Sequence, residues 1–206
     1  MKKGIFITFE GIEGSGKSLQ LKLLKRFLLK NGYDVISTRE PGGTEIGKKI
    51  RRILLEPSNK ITSYAELFLL LADRAQHIED IILKNLNEGK IVLSDRFFDS
   101  TIAYQGGGRM IKEDVLKKIM EFDIFSIKPD LTFLLDIPPE VSLKRLKKID
   151  RIESQEIEFH RRVRERYRKI AESEPRFYMI DATDDVKNIH NKIKEKTMEI
   201  LRRNNL

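Results

Sequence analysis

An α/β fold is predicted for this 206-residue chain, a five-stranded parallel sheet flanked on both faces by helices to give three layers. Two observations predict it. Short β-branched or aromatic runs take turns along the chain with longer segments of helical period, and such alternation builds parallel sheets joined by crossover helices. The strand runs are also continuously apolar, as in Leu131–Leu135, which is what a sheet covered on both faces requires.

The first strand is Ile5–Phe9, followed by a glycine-rich turn and a helix near 18–30 with Leu21, Leu24 and Leu28 on one face. Val35–Thr38 is the second strand; Arg39-Glu40-Pro41-Gly42-Gly43-Thr44 then turns the chain into a helix near 44–55. A long helix near 64–87 carries the stripe Leu67, Leu70, Leu71, Ile78, Ile81 and Ile82. Ile91–Ser94 is the third strand, and beyond a helical turn Gln105-Gly106-Gly107-Gly108-Arg109 reads as a hinge or a binding element, before a helix near 112–121. Leu131–Ile137 and Arg176–Ile180 complete the strands, with helices near 139–148, 155–173 and 185–203. With no internal repeat and no Pro/Ser-rich linker, residues 1–206 read as one domain.

Forty Lys and Arg against thirty-two Asp and Glu leave a net charge of +8, and 40% hydrophobic residues exclude a disordered or collagen-like chain. The absence of cysteine excludes disulfides, Cys-ligated zinc and thiol catalysis, and suits a reducing cytoplasm. The apolar stretch behind Met1-Lys2-Lys3 is cut by Glu10, so neither a signal peptide nor a membrane span is expected. Segment 144–176, with twelve Lys/Arg and seven Asp/Glu, supplies +5 of the charge. Such a tract suits nucleic acid, anionic lipid or a phosphorylated small molecule.

Gly11-Ile12-Glu13-Gly14-Ser15-Gly16-Lys17-Ser18 fits G-x-x-x-x-G-K-[ST] in full, directly after a strand and directly before a helix. The glycines let backbone N–H groups turn in around a β-phosphate, Lys17 is expected to bridge the β- and γ-phosphates, and the Ser18 hydroxyl to ligate Mg²⁺. The chain is therefore expected to bind ATP with Mg²⁺ in a phosphate-loop NTPase fold. That loop is shared by motors, GTPases, DNA-dependent ATPases and kinases, so the second substrate decides the reaction.

The third strand ends in Ser94-Asp95-Arg96, where Asp95 suits a metal-bound water or a proton and Arg96 a bidentate grip on phosphate; a surface ion pair is the bland alternative. Arg74 interrupts the apolar stripe of its helix, so it either reaches a cleft to meet an anion or snorkels to the rim. Arg39, at another strand end, raises the same question. His160 and Tyr167 read as surface or packing residues, and His77 and His190 as unpaired.

These stretches, with Asp99-Ser100-Thr101-Ile102-Ala103-Tyr104-Gln105-Gly106, Lys128-Pro129-Asp130, Asp150-Arg151-Ile152-Glu153 and Ile180-Asp181-Ala182-Thr183, resemble the thymidylate kinase family in order along nearly the whole chain. The resemblance implies transfer of the ATP γ-phosphoryl to dTMP. It implies that Glu13 and Asp95 lie near the metal and the acceptor phosphate, that Arg39 and Arg96 hold that phosphate, and that Arg74 reaches the thymine edge. Thr101 and Gln105 would lie close to the base, with Tyr104 crowding the deoxyribose. Segment 144–158 would contain a lid; since no basic residue occupies the variable loop positions, the catalytic arginine would come from it, with Arg145 and Arg151 the candidates. A homodimer is implied, with helix 64–87 a candidate contact.

Three departures stand out. Leu19 replaces a hydroxyl residue, Leu70 stands where the family stacks a Phe on thymine, and Lys147-Lys148 stand where bacterial relatives often have arginine. Another nucleotide kinase and a nucleic-acid-dependent ATPase are the competing readings; against the second, aromatics within the basic tract are limited to Phe159 and Tyr167.

Overall fold

The computed structural model describes residues 4–146 and 150–204. Five parallel strands, β1 Ile5–Glu10, β2 Val35–Arg39, β3 Ile91–Asp95, β4 Leu131–Asp136 and β5 Phe177–Asp181, form one sheet in the order β2-β3-β1-β4-β5. Every residue of β1 and β3 is buried, the apolar ones as a sheet covered on both faces requires and the polar Thr8, Glu10, Ser94 and Asp95 with them. Ile5, Ile7 and Phe9 enter a core shared with Leu21, Leu24 and Leu28 of α1 (Lys17–Lys30) and Ile189 and Ile193 of α9 (Val186–Arg203). Phe6 and Val92 pack on the other face against Ile78, Ile82 and Leu86.

Helix α2 (Glu45–Leu55) starts where Thr44 accepts a hydrogen bond from the Gly47 N–H. Helix α3 (Ser63–His77) continues through a π-helical turn, Ile78–Leu83, into α4 (Lys84–Asn87), so the stripe expected over 64–87 changes pitch midway. After β3, α5 (Phe98–Thr101) runs into a π-helical segment, Ile102–Gly108, where the sequence indicated only a helical turn. The three glycines, read from the sequence as a hinge or a binding element, lie inside this helical segment: a Cβ on Gly107 would lie 2.8 Å from Arg166 Cβ and 3.0 Å from the Arg162 carbonyl oxygen. Gly107 and Gly108 let α8 (Ile157–Ser173) pack directly on this segment, whereas Gly106 faces Leu116.

Helix α6 (Glu113–Met120) follows, and a 3₁₀ turn, Asp123–Phe125, leads towards β4. The helix expected at 139–148 is shorter: α7 (Pro139–Ser142) passes into a 3₁₀ turn, Leu143–Arg145. The Ser142 hydroxyl donates to the Glu13 carbonyl, which ties this turn to the glycine loop. Lys147 and Lys148 lie outside the described residues. Helix α8 stops before Pro175, whose ring disfavours helical backbone at the preceding residue.

The chain runs out from β1 to β2, returns to β3 and crosses to β4 on the other side of β1. This reversal around β1 opens a crevice at the carboxyl ends of the strands. Strand register lines up Arg39 with Asp95 and Asp95 with Phe9, so the loops after β1, β2 and β3 meet at one edge.

Candidate active site

The loop from Gly11 to Gly16 joins β1 to α1. Gly14 and Gly16 have φ of +71° and +94°, and a Cβ on Gly14 would lie 2.4 Å from the Ser142 carbonyl oxygen, so only glycine fits there. Lys17 folds back over the loop, donating to the Ile12 carbonyl at 2.7 Å and to Ser15 Oγ at 3.3 Å. Burial, aided by the nearby Arg96 charge, pushes the Lys17 ammonium down to about 8. The Ser18 hydroxyl donates to the Asp95 carboxylate. A hydroxyl and a carboxylate in contact at the mouth of a phosphate loop suit Mg²⁺, which takes oxygen ligands and keeps several waters. Among the described residues there is no cluster of three or more His, Asp or Glu that could cage a metal without help from phosphate and water.

Arg96 occupies the left-handed region at φ +74°, a costly backbone conformation for a non-glycine residue. Its N–H donates to the Phe9 carbonyl at 3.0 Å, and its carbonyl accepts from Ser94 Oγ at 2.7 Å. The bend directs the guanidinium to Glu13 at 2.8 Å, Tyr104 Oη at 3.0 Å, Tyr167 Oη at 3.1 Å and Ser100 Oγ at 3.2 Å. Asp95 and Arg96 thus point to different partners and are not a surface ion pair. Burial raises the Glu13 carboxyl, but Arg96 and Lys17 outweigh that and hold it below the usual carboxylate range. Behind this group Glu10 accepts from the Phe97 N–H, Ser100 Oγ and Tyr167 Oη at 2.7–2.8 Å. Burial and the Asp99 charge push it up to about 7.

Arg74 lies only 2% exposed, with Nε on Glu40 at 2.8 Å, Nη1 on Thr101 Oγ1 at 2.9 Å and Nη2 on the Phe97 carbonyl at 3.2 Å. Of the two readings open for it, the cleft is the one realised. Glu40 is steadied in turn by His77, whose Nδ1 meets Glu40 at 2.8 Å and whose Nε2 meets Thr38 Oγ1 at 2.6 Å. His77 is therefore paired on both nitrogens, contrary to the sequence reading.

A cavity of about 240 Å³ joins these groups. Gly14, Lys17, Ser18 and Asp95 form one end; Glu13, Arg39, Arg96 and Tyr104 the middle; Leu70, Arg74, Thr101 and Gln105 the other. Leu70 lines the wall where an aromatic was expected, while Phe68 is exposed on the outside of α3 and offers no substitute ring. Leu19, likewise exposed, lines no part of this cavity.

The two candidate catalytic arginines, Arg145 and Arg151, part company. Arg145 donates to the Ala182 carbonyl at 3.1 Å and reaches the Gly14 carbonyl at 3.5 Å, beside the phosphate loop. Arg151 is buried at the opposite end, donating to the Leu54 carbonyl at 2.7 Å and to Glu66 at 2.6 Å. Two groups escaped the sequence reading, Glu10 and Glu66, and a third, Tyr167, goes beyond the packing role expected of it by bonding Arg96; His160, with both ring nitrogens unpartnered among the described residues, is a packing residue as expected. Tyr167 is buried against Arg96, and His160 is fully buried with Nδ1 3.8 Å from Glu13. Phe159, Val163, Tyr167 and Ile170 repeat at helical spacing on α8, and that stripe was the signal that both residues face inward.

A family profile described as thymidylate kinase matches residues 9–193. A thymidylate kinase of Halothermothrix orenii is 50% identical over 200 residues, covering 94% of this chain and 96% of that protein. One from a Sulfurihydrogenibium species is 52% identical over 190 residues, covering 91% and 93%. The crystal structure of thymidylate kinase from Ehrlichia chaffeensis superposes with a TM-score of 0.80 at 34% identity, covering 95% of this chain and 99% of that one. The phosphate loop, the arginine-lined cavity and these likenesses agree: the chain belongs to the thymidylate kinase family.

Proposed function

We propose that this enzyme transfers the γ-phosphoryl group of ATP to the 5′-phosphate of dTMP, giving dTDP and ADP. One observation supports the reading: a single cavity is lined both by Gly14, Lys17 and Ser18 of the phosphate loop and by Arg39, Arg74 and Arg96, so an acceptor phosphate gripped by the arginines would face the donor phosphates held by the loop. An acceptor phosphate oxygen forms the new bond to the γ-phosphorus as the bond to the β–γ bridging oxygen breaks. Such transfer needs alignment and charge neutralisation rather than a covalent nucleophile. Gly11 to Ser18 hold the donor phosphates, with Lys17 supplying the charge nearest the transferred group. Ser18 and Asp95 are the groups that would hold Mg²⁺, which when bound neutralises phosphate charge. Arg96, fixed by Glu13 and the two tyrosines, grips the acceptor phosphate, and Arg39 joins it from the rim. Arg145 is the lid cation we assign to the transition state, because it lies beside Gly14, whereas Arg151 is committed to Glu66.

The basic tract does not call for nucleic acid. Arg161 pairs with Glu140, Arg164 with Asp136, Arg166 with Glu113 and Arg176 with Asp99, so much of its charge is neutralised within the fold. No described helix is long and apolar enough to cross a membrane; we place the enzyme in the cytoplasm. Exposed Ile46 and Ile53 on α2, with Tyr64 and Phe68 on α3, are the apolar side chains a second copy would cover in the homodimer we propose. The test is ADP formation from MgATP with dTMP, dUMP, dCMP, dGMP, AMP or single-stranded DNA. Preference for dTMP is expected; stimulation by DNA alone would overturn the reading.

A further inference from the structure

Three side chains converge on one buried carboxylate at the far end of the cavity. Glu66 Oε1 accepts from Gln105 Nε2 at 2.9 Å and Arg109 Nε at 3.1 Å; Oε2 accepts from Arg109 Nη2 at 3.0 Å and Arg151 Nη2 at 2.6 Å. Burial raises this carboxyl, but the arginine contacts outweigh it and hold Glu66 below the usual range. An ionised carboxylate only accepts hydrogen bonds, so Gln105 must turn its amide nitrogen to Glu66 and its amide oxygen the other way. That oxygen is enclosed and meets no hydrogen-bond partner, although Gln105 lines the cavity. A buried acceptor left unpaired is costly until a donor arrives. Arg74 lines the same cavity, and its bonds to Glu40, Thr101 and the Phe97 carbonyl use three of its five N–H groups, which leaves two for a ligand.

A base edge with a carbonyl beside a ring N–H satisfies both groups. An edge with an amino group beside a bare ring nitrogen sets donor against donor and acceptor against acceptor. We infer that Glu66 is a specificity-setting positioning residue: it locks the hydrogen-bonding sense of Gln105, so that the cavity takes the imide edge of thymine or uracil and rejects cytosine. This rests on the dTMP kinase reading. Arg109 and Arg151 hold the lock, and Arg109 also donates to Gln155 at 2.7 Å, which ties the same cluster to the chain that leads into α8.

In Glu66→Gln, the oxygen of the new amide is favoured at the Oε2 position, which faces two guanidinium N–H groups, and its nitrogen at Oε1. Gln105 then has to flip and present nitrogen to the cavity. The experiment compares kcat/KM for dTMP, dUMP and dCMP in the wild type, Glu66→Gln and Gln105→Met, with KM for ATP and thermal melting measured alongside. Losing the donor–acceptor match is expected to lower the dTMP-to-dCMP ratio roughly tenfold or more. The dTMP-to-dUMP ratio and KM for ATP stay unchanged, and the double variant has no larger effect than Gln105→Met alone. Arg109→Lys, outside the cavity wall, loosens the grip on Glu66 without stranding it and keeps the test open if Glu66→Gln does not fold; a smaller fall in the same ratio is expected. A folded variant of either kind that keeps the wild-type ratio, or loses dTMP and dCMP use equally, overturns the inference. A wild-type enzyme that phosphorylates none of the three would overturn the underlying kinase reading instead.

Discussion

Lys17 shows how a residue fixed by a short motif acquires chemistry from its surroundings. The loop spacing alone placed it over the phosphate site, because its contacts to Ile12 and Ser15 lie within five residues. Its titration near 8 could not be read from the sequence, since burial and Arg96 create it. A lysine depressed this far is charged below about pH 8 and loses its proton above it, and bound phosphate favours the charged form. Affinity for MgATP is therefore expected to be flat below pH 8 and to weaken roughly tenfold per pH unit above it. Isothermal titration from pH 6.5 to 9.5 checks this; a constant affinity across that range would mean Lys17 is not depressed. Tyr167, by contrast, was read as a surface or packing residue because its bond to Arg96 spans 71 residues of sequence. The same distance hid the carboxylate hub at Glu66, 39 residues from Gln105 and 85 from Arg151.

At the level of elements, the five strands were legible to within a residue at each end, because unbroken β-branched runs have few other uses. Helix 98–108 was recognised only as a turn, since Gly106 to Gly108 weaken helix by about 1 kcal/mol each relative to alanine. Tertiary packing overrides that preference, as α8 can approach only where side chains are missing. Gly107→Ala weighs the two effects against each other. Helix propensity would gain about 1 kcal/mol, whereas contact with Arg166 Cβ and a backbone carbonyl, neither able to rotate away, is expected to cost about 1–3 kcal/mol. Melting should fall by a few degrees at about 2–4 °C per net kcal/mol. KM for dTMP should rise as well, because Tyr104 and Tyr167 lie on the two elements pushed apart. A variant that melts higher than the wild type would show that the close approach does not matter. Segment 144–158 was less legible: the resemblance offered Arg145 and Arg151 together, and only packing separates one beside Gly14 from one bound to Glu66.

Across the whole molecule, sheet order turns scattered motifs into one site. Arg39, Asp95 and the glycine loop come from three strands, and register alone brings them to one edge. The alternation of strand and helix made that architecture predictable, and the family resemblance supplied the acceptor. The net charge of +8 was the more ambiguous signal, because composition cannot distinguish arginines that face solvent from those paired within the fold, such as Arg164 on Asp136. Composition therefore left nucleic acid as a competing partner, whereas the arginine-lined cavity favours a phosphorylated nucleotide. The measurement that tests this account most directly is transfer from ATP labelled at the γ-phosphorus, in the presence of dTMP and Mg²⁺. Label appearing in dTDP in amounts equal to the ADP formed, and lost in Lys17→Ala by at least about 100-fold, is the expected result. Label released as inorganic phosphate, with dTMP unchanged, would contradict it.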